Sequence, residues 1–204
     1  MSTNEIIGGL TASTLGLDPS TTDRLRARLA AEAERAGVLD VAYRIVDSPF
    51  GPLLLAATNE GLVRVAFDRE DHDVVLGFLA EQVSPRILAA PRRLDDVARE
   101  LDEYFAGARR SFDVPVDLRL AHGFRRTVLD HLRSIAYGTT ESYATVAAAA
   151  GSPAAVRAVG SACAHNPVPL VVPCHRVIRS DGTIGQYLGG TDAKQTLLAL
   201  EAAA

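Results

Sequence analysis

Leu170-Val171-Val172-Pro173-Cys174-His175-Arg176-Val177-Ile178 is the stretch from which the rest of the chain can be read. The apolar run Leu170–Val172 predicts a short buried strand or extended segment. Pro173 then ends regular pairing and keeps its neighbourhood extended. Cys174 is thereby delivered at the end of a rigid element, with His175 and Arg176 beside it. A thiolate is the reactive form of cysteine, and a neighbouring imidazole or guanidinium lowers the thiol pKa. A lone cysteine is ordinarily a small buried hydrophobe; the proline-framed Cys-His-Arg cluster turns the reading toward a nucleophile. Adjacent side chains in an extended segment point apart. His175 is therefore expected to act on the thiol through a bridging water, and it needs a carboxylate to orient it.

Working outward, Asn166-Pro167-Val168-Pro169 is a stiff turn upstream. Downstream, Gly185-Gln186-Tyr187-Leu188-Gly189-Gly190 is a flexible loop whose glycines let the backbone approach a ligand closely. Tyr187 has little packing to do in such a loop and is a candidate pocket wall. Further back lie two short helices. One starts at or near Ser142; the other runs from Ala154 to Ala164, with Ser152 as expected cap and Pro153 at its first position. Joined by a glycine-containing turn, they match a helix-turn-helix. The second helix is nearly all small residues, with Arg157 its one long side chain. Major-groove readers normally present several long polar side chains. Two readings stay open: a slim helix laid against a DNA backbone or minor groove, and a core helix packed through its alanines and Gly160. Phe124 to Ile135 predicts an amphipathic helix, and Asp192 to Ala202 a last one.

Ahead of a boundary near Leu118 to His122, the pattern changes. Leu39–Val46 reads as a strand, and Leu53–Ala57 with Leu62–Phe67 as a β-hairpin. Asp71–Val83 and Leu94–Phe105 have helical spacing, and Phe112–Val116 reads as a last strand at an edge because of Pro115. Earlier still, Thr21 or Thr22 is expected to cap a charged helix to Arg35, ended by Gly37, with Leu25 and Leu29 pinning it to a neighbour. Met1–Pro19 shows no periodicity and is expected to be mobile.

A chain of 204 residues with 48% hydrophobic content is enough for a real core. Its net charge of −4 is unevenly spread: residues 1–120 carry 14 basic and 20 acidic residues, and residues 121–204 carry 7 and 5. Any nucleic-acid face therefore belongs to the back half, with salt-sensitive affinity. The many acids of the front half read as solvated surface. There is no apolar run of membrane-spanning length, and Met1–Ser20 lacks a signal-peptide pattern. Two cysteines, Cys163 and Cys174, exclude a disulfide framework. Cys163, among alanines, reads as inert packing. The scattered histidines have no metal-ligand spacing, so no metal is expected. A free thiol fits a reducing cytoplasm.

Asn166-Pro-Val-Pro169, Pro173-Cys-His-Arg-Val-Ile178 and Gly185-Gln-Tyr-Leu-Gly-Gly190 together resemble the signature of the O6-alkylguanine-DNA alkyltransferases, the methylated-DNA–protein-cysteine methyltransferases. The likeness runs from about Val41 to Glu201 and is densest from Tyr143. It implies an α/β plus α protein. A small ribonuclease-H-like domain would span 39–118 and a winged-helix-like, helix-turn-helix alkyltransferase domain 119–204, with 1–38 an extension outside the resemblance. It also implies a DNA repair activity: O6-alkylguanine, and O4-alkylthymine besides, is flipped from duplex DNA, and the alkyl group passes irreversibly to Cys174, once per molecule.

By the same resemblance His175 is the base, Glu201 its orienting carboxylate and Asn166 the brace of the turn. Tyr143 contacts the extruded nucleotide. Arg157 fills the gap it leaves, on a minor-groove helix that also presents Ala158 and Gly160. Tyr187, Val177, Gly185, Leu188 and Lys194 belong to the substrate pocket, with the carbonyls of Cys174 and Val177 accepting from the guanine amine. The implied partner is double-stranded DNA carrying the lesion, bound by a monomer without cofactor, metal or membrane. Leu129, Ala136 and Leu188 depart from residues common in the family, which bears on substrate breadth. Two other readings compete: a non-catalytic lesion-binding protein, which would lack the reactive cysteine, and a cysteine hydrolase, which would need a histidine distant in sequence and an oxyanion hole.

Overall fold

The computed structural model describes residues 18–203. Of the opening segment expected to be mobile, residues 1–17 lie outside the described ones. Helix α1 (Pro19–Arg35) is capped by Asp18, not by Thr21 or Thr22: the Asp18 carboxylate accepts from the Thr21 N–H at 2.9 Å. Leu25 and Leu29 pin nothing, being 51% and 56% exposed. The helix is seated instead through Ala30, buried with Leu39, Ala42 and Ala90.

Strands β1 (Val41–Val46), β2 (Leu53–Thr58) and β3 (Gly61–Phe67) form an antiparallel meander, as the alternating pattern predicts. Every residue of β2 is buried. Strand side chains alternate between faces, and β2 shows both faces covered. Leu54 and Ala56 pack with Val63, Val75 and Leu79 under helix α2 (His72–Gln82). Leu53, Leu55 and Ala57 join a larger core with helix α3 (Asp95–Phe105) and the back half of the chain. Along α3 and the turn before it, Leu94, Val97, Leu101 and Tyr104 form the buried stripe.

The fourth strand is not Phe112–Val116. It is β4 (Ile87–Ala89), parallel to β1, giving the order β3-β2-β1-β4. Around Pro115 only a single bridge forms, Leu62 to Val116, with the Leu62 N–H donating to Pro115 O and the Asp117 N–H to Leu62 O. A proline has no N–H to extend such pairing into a ladder.

Helix α4 (Gly123–Leu132) opens the back half, ending three residues before the buried Ile135. Strand β5 (Glu141–Ser142) leads into helix α5 (Tyr143–Ala149), capped by the Ser142 hydroxyl, which accepts from the Thr145 N–H at 3.0 Å. Helix α6 (Val156–Ala164) starts later than expected: Ser152 is not its cap, because Ser152–Ala155 closes a separate turn first. β6 (Val177–Ile178) pairs in parallel with β5, and α7 (Thr191–Ala202) ends the chain. No described helix is long and apolar enough to cross a membrane.

Candidate active site

The expected strand before Cys174 is a tight turn. Leu170 has φ +75°, and the Val172 N–H returns to Val168 O at 2.9 Å. Asn166, fully buried, holds this turn from inside. Its side-chain oxygen accepts from the Val168 N–H, and its amide donates to Val172 O at 2.8 Å and to the Cys174 sulfur at 3.2 Å. Cys174–Arg176 then form one 3₁₀ turn, not an extended segment.

In that turn His175 and Arg176 both reach Glu201. Glu201 is 3% exposed although it stands in the last turn of α7. Its Oε1 accepts from His175 Nε2 at 2.8 Å, from the Tyr104 hydroxyl at 2.6 Å and from Arg176 Nη2 at 2.9 Å. Its Oε2 accepts from Arg176 Nε at 2.9 Å and the Gly138 N–H at 3.1 Å. Arg176 closes the cluster by donating to Ile135 O at 2.6 Å. With Nε2–H committed to the carboxylate, His175 Nδ1 is the lone-pair nitrogen. It is buried and without a partner.

The electrostatics follow from burial. Cys174 is 2% exposed, and its thiol is pushed up to about 11 by burial, with the Asn166 amide and the Lys194 charge pulling back. The lowering expected from His175 and Arg176 does not occur, because Glu201 occupies both. Burial also lowers the His175 pKa, against the raising effect of Glu201. For Glu201, burial would raise the carboxyl, but hydrogen bonds from His175 and Arg176 outweigh it and hold the group at about 2.

Lys194 is fully buried and donates to Val177 O at 2.5 Å, so that carbonyl already has one partner. Tyr143 is half-buried, and burial lifts its hydroxyl to about 12. Gly185 and Gly189 make room for the protein's own side chains rather than leaving space for a ligand. A Cβ at Gly185 would stand 2.6 Å from the Tyr143 hydroxyl, and one at Gly189 would stand 2.7 Å from the Phe67 ring. Tyr187 packs edge-on against Phe67 and His175, with ring centroids 5.6 and 6.2 Å away, so it does take part in packing. Its hydroxyl is buried without a partner.

Outside this lies a cleft of about 520 Å³, walled by Tyr143, Arg157, Gly160, Gly185, Tyr187 and Leu188. Arg157 and Ala158 are exposed on α6, and nothing lies within 4 Å of a Cβ built on Gly160. The face of α6 bearing Gly160 is therefore open, and the packed-core alternative for that residue does not hold. Cys163, less than one helical turn further on, is buried. Among the described residues no three His, Cys, Asp or Glu side chains cluster as metal ligands. The sequence reading missed Tyr104, whose place in the α3 stripe marks it only as a core residue. Arg176, which the sequence places beside the thiol, is paired with Glu201.

A mixed α/β part, a helical part with one open helix face, and a buried thiol beside an imidazole–carboxylate pair define a two-domain protein built around a buried cysteine. The ribonuclease-like domain of 6-O-methylguanine DNA methyltransferase matches residues 41–118, and the DNA-binding domain of the same family matches 123–203. The chain belongs to the 6-O-methylguanine DNA methyltransferase family. It is 42% identical over 161 residues to the methylated-DNA–protein-cysteine methyltransferase of Mycolicibacterium paratuberculosis, covering 79% of this chain and 92% of that one. With the constitutive enzyme of Bacillus subtilis it shares 36% over 160 residues, covering 78% and 94%. A crystal structure of Mycobacterium tuberculosis OGT in complex with DNA superposes with a TM-score of 0.69 at 39% identity, over 79% of this chain and 93% of that one.

Proposed function

We propose that this protein is a methylated-DNA–protein-cysteine methyltransferase that repairs O6-alkylguanine, and O4-alkylthymine besides, by taking the alkyl group onto Cys174. The observation that carries the reading is His175 Nδ1, a buried lone pair with no partner, on a ring whose other nitrogen is fixed by Glu201. One water between Nδ1 and the sulfur completes a path for the thiol proton, and a buried water needs such unsatisfied partners. The thiol is neutral at rest, so the base acts during the reaction, as general-base activation of a nucleophile requires. The S–H proton passes to Nδ1, the sulfur attacks the alkyl carbon, and the carbon–O6 bond breaks. Guanine leaves as an anion that the Tyr143 hydroxyl hydrogen-bonds and protonates, and the imidazolium proton makes good the loss. The thioether is stable, so each molecule reacts once.

A base in a duplex must leave the stack to reach such a site. In this reading α5 and α6 form the helix-turn-helix of a winged-helix-like domain spanning 119–204. It follows a ribonuclease-H-like domain at 39–118 and an extension at 1–38. The slim face of α6, with Ala158 and Gly160, lies in the minor groove, and Arg157 fills the vacated stack. The base enters the cleft between Tyr143 and Tyr187, with Val177, Gly185, Leu188 and Lys194 around it. The protein works as a monomer in the cytoplasm. Intact-protein mass spectrometry with a duplex carrying one O6-methylguanine tests this, run beside Cys174→Ala. The expected result is one methyl on the Cys174 peptide, restored guanine and no turnover beyond one equivalent. Tight binding to the lesion without mass gain would sink the reading in favour of a non-catalytic lesion binder.

A further inference from the structure

Glu201 does not serve His175 alone. The donor at the shortest distance, 2.6 Å, is the Tyr104 hydroxyl, which comes from α3 in the ribonuclease-like part of the chain and lies 3.4 Å from His175 Nε2. Tyr104 is fully buried. Its ring is held by Phe105, Phe112 and Tyr137, with centroids 5.6, 5.2 and 6.1 Å away. A ring so enclosed keeps its hydroxyl aimed at one place. Oε1 thus divides its charge among three donors, of which the imidazole is one.

We propose that Tyr104 is a positioning residue for alkyl transfer: its hydroxyl fixes the Glu201 carboxylate and draws off part of its charge, so that the ribonuclease-like domain sets how strongly His175 attracts the thiol proton. A carboxylate hydrogen-bonded elsewhere is a weaker acceptor for an imidazole N–H, and hydrogen bonding to a charged form shifts the titration of its neighbours. The other groups facing the pair are Arg176 and Lys194, both cationic, the neutral Cys174 thiol and Tyr187 from the loop. Tyr137 stands behind, with the Arg110 and Arg176 guanidinium carbons 5.9 and 5.7 Å from its ring centroid. Among these, Tyr104 is the one neutral hydroxyl on the carboxylate, and burial raises its own pKa far beyond the usual phenol, so it remains a donor throughout.

The inference rests on the acceptor role of Cys174, and the test separates the two. Tyr104→Phe keeps the ring and removes the donor; Leu79→Ala cuts a cavity in the separate core under α2 and leaves the hydroxyl and its cage alone. In Tyr104→Phe the His175 Nε2–H proton resonance is expected to move downfield at neutral pH. The acid limb of the single-turnover rate profile is expected to move to higher pH by roughly half a unit. Leu79→Ala is expected to lower the melting temperature while moving neither. An unmoved resonance and limb in Tyr104→Phe, or equal movement in Leu79→Ala, overturns the proposal. If the wild type takes no methyl group, the acceptor role fails, while the resonance still decides for or against Tyr104.

Discussion

At the residue scale, Glu201 and Cys174 set opposite limits on the protein's pH range. Glu201 titrates at about 2 in the native state against an ordinary 4.5. Between those values the unfolded chain takes up a proton that the native chain refuses. The stabilisation from this group is therefore complete above 4.5 and is lost as pH falls through 2. Cys174 works in the other direction. Its thiol is raised to about 11 from 9.0, so its contribution is complete below 9.0 and is lost as pH rises toward 11. Urea unfolding across pH is expected to show a shallower alkaline decline in Cys174→Ala, with Cys163 and the buried Tyr104, Tyr143 and Tyr187 contributing to what remains. Glu201→Gln is expected to cost about 3–5 kcal/mol at neutral pH, because Arg176 stays buried without its counter-charge. Asn166→Ala removes three hydrogen bonds inside the turn and is expected to cost about 1–3 kcal/mol in the same assay. Of the buried cluster around Glu201 and the thiol, Cys174 and His175 were legible from the chain itself. Glu201 was legible only through the resemblance, because an acid near a C-terminus looks like surface until α7 folds over the Cys174 turn.

At the scale of elements, α6 allows its two jobs to be measured apart. Gly160 faces open space, so Gly160→Ala is expected to stabilise the fold by about 0.5–1 kcal/mol. Arg157→Ala is expected to leave the melting temperature unchanged and weaken binding to lesion duplex by roughly tenfold, read by fluorescence anisotropy at fixed salt. Gly185→Ala belongs with neither, since its Cβ meets the Tyr143 hydroxyl and displaces a cleft wall. The hairpin, α2, α3 and α7 were readable because each has enough residues for a period to show. β4, β5 and β6, three residues or fewer, leave no periodic trace. The run Leu170–Val172 misled for a different reason. Buried apolar residues look alike in a strand and in a turn, and it is Asn166, from outside the run, that bends them.

At the scale of the whole molecule, one core runs through both halves, from Leu53 to Leu197. The extension stands apart from it. Both family models begin after α1, which is held by little more than Ala30 and Ala33. Deleting residues 1–37 is expected to cost about 1–2 kcal/mol by the small apolar area uncovered, and to leave methyl transfer intact in the mass-spectrometric assay. The two halves also meet through backbone. β3 is the outer strand of the sheet, and a bare outer strand is a template on which other chains can stack. Here the Leu62 N–H is taken by Pro115 O, and the Val65 N–H is taken at 2.9 Å by Pro167 O, from the turn that carries Cys174. The turn that presents the thiol is also the lid on the sheet's adhesive edge. Damage to that turn therefore has a second outcome besides lost chemistry: chains whose 166–173 segment has loosened acquire a sticky margin and are removed from solution by self-association.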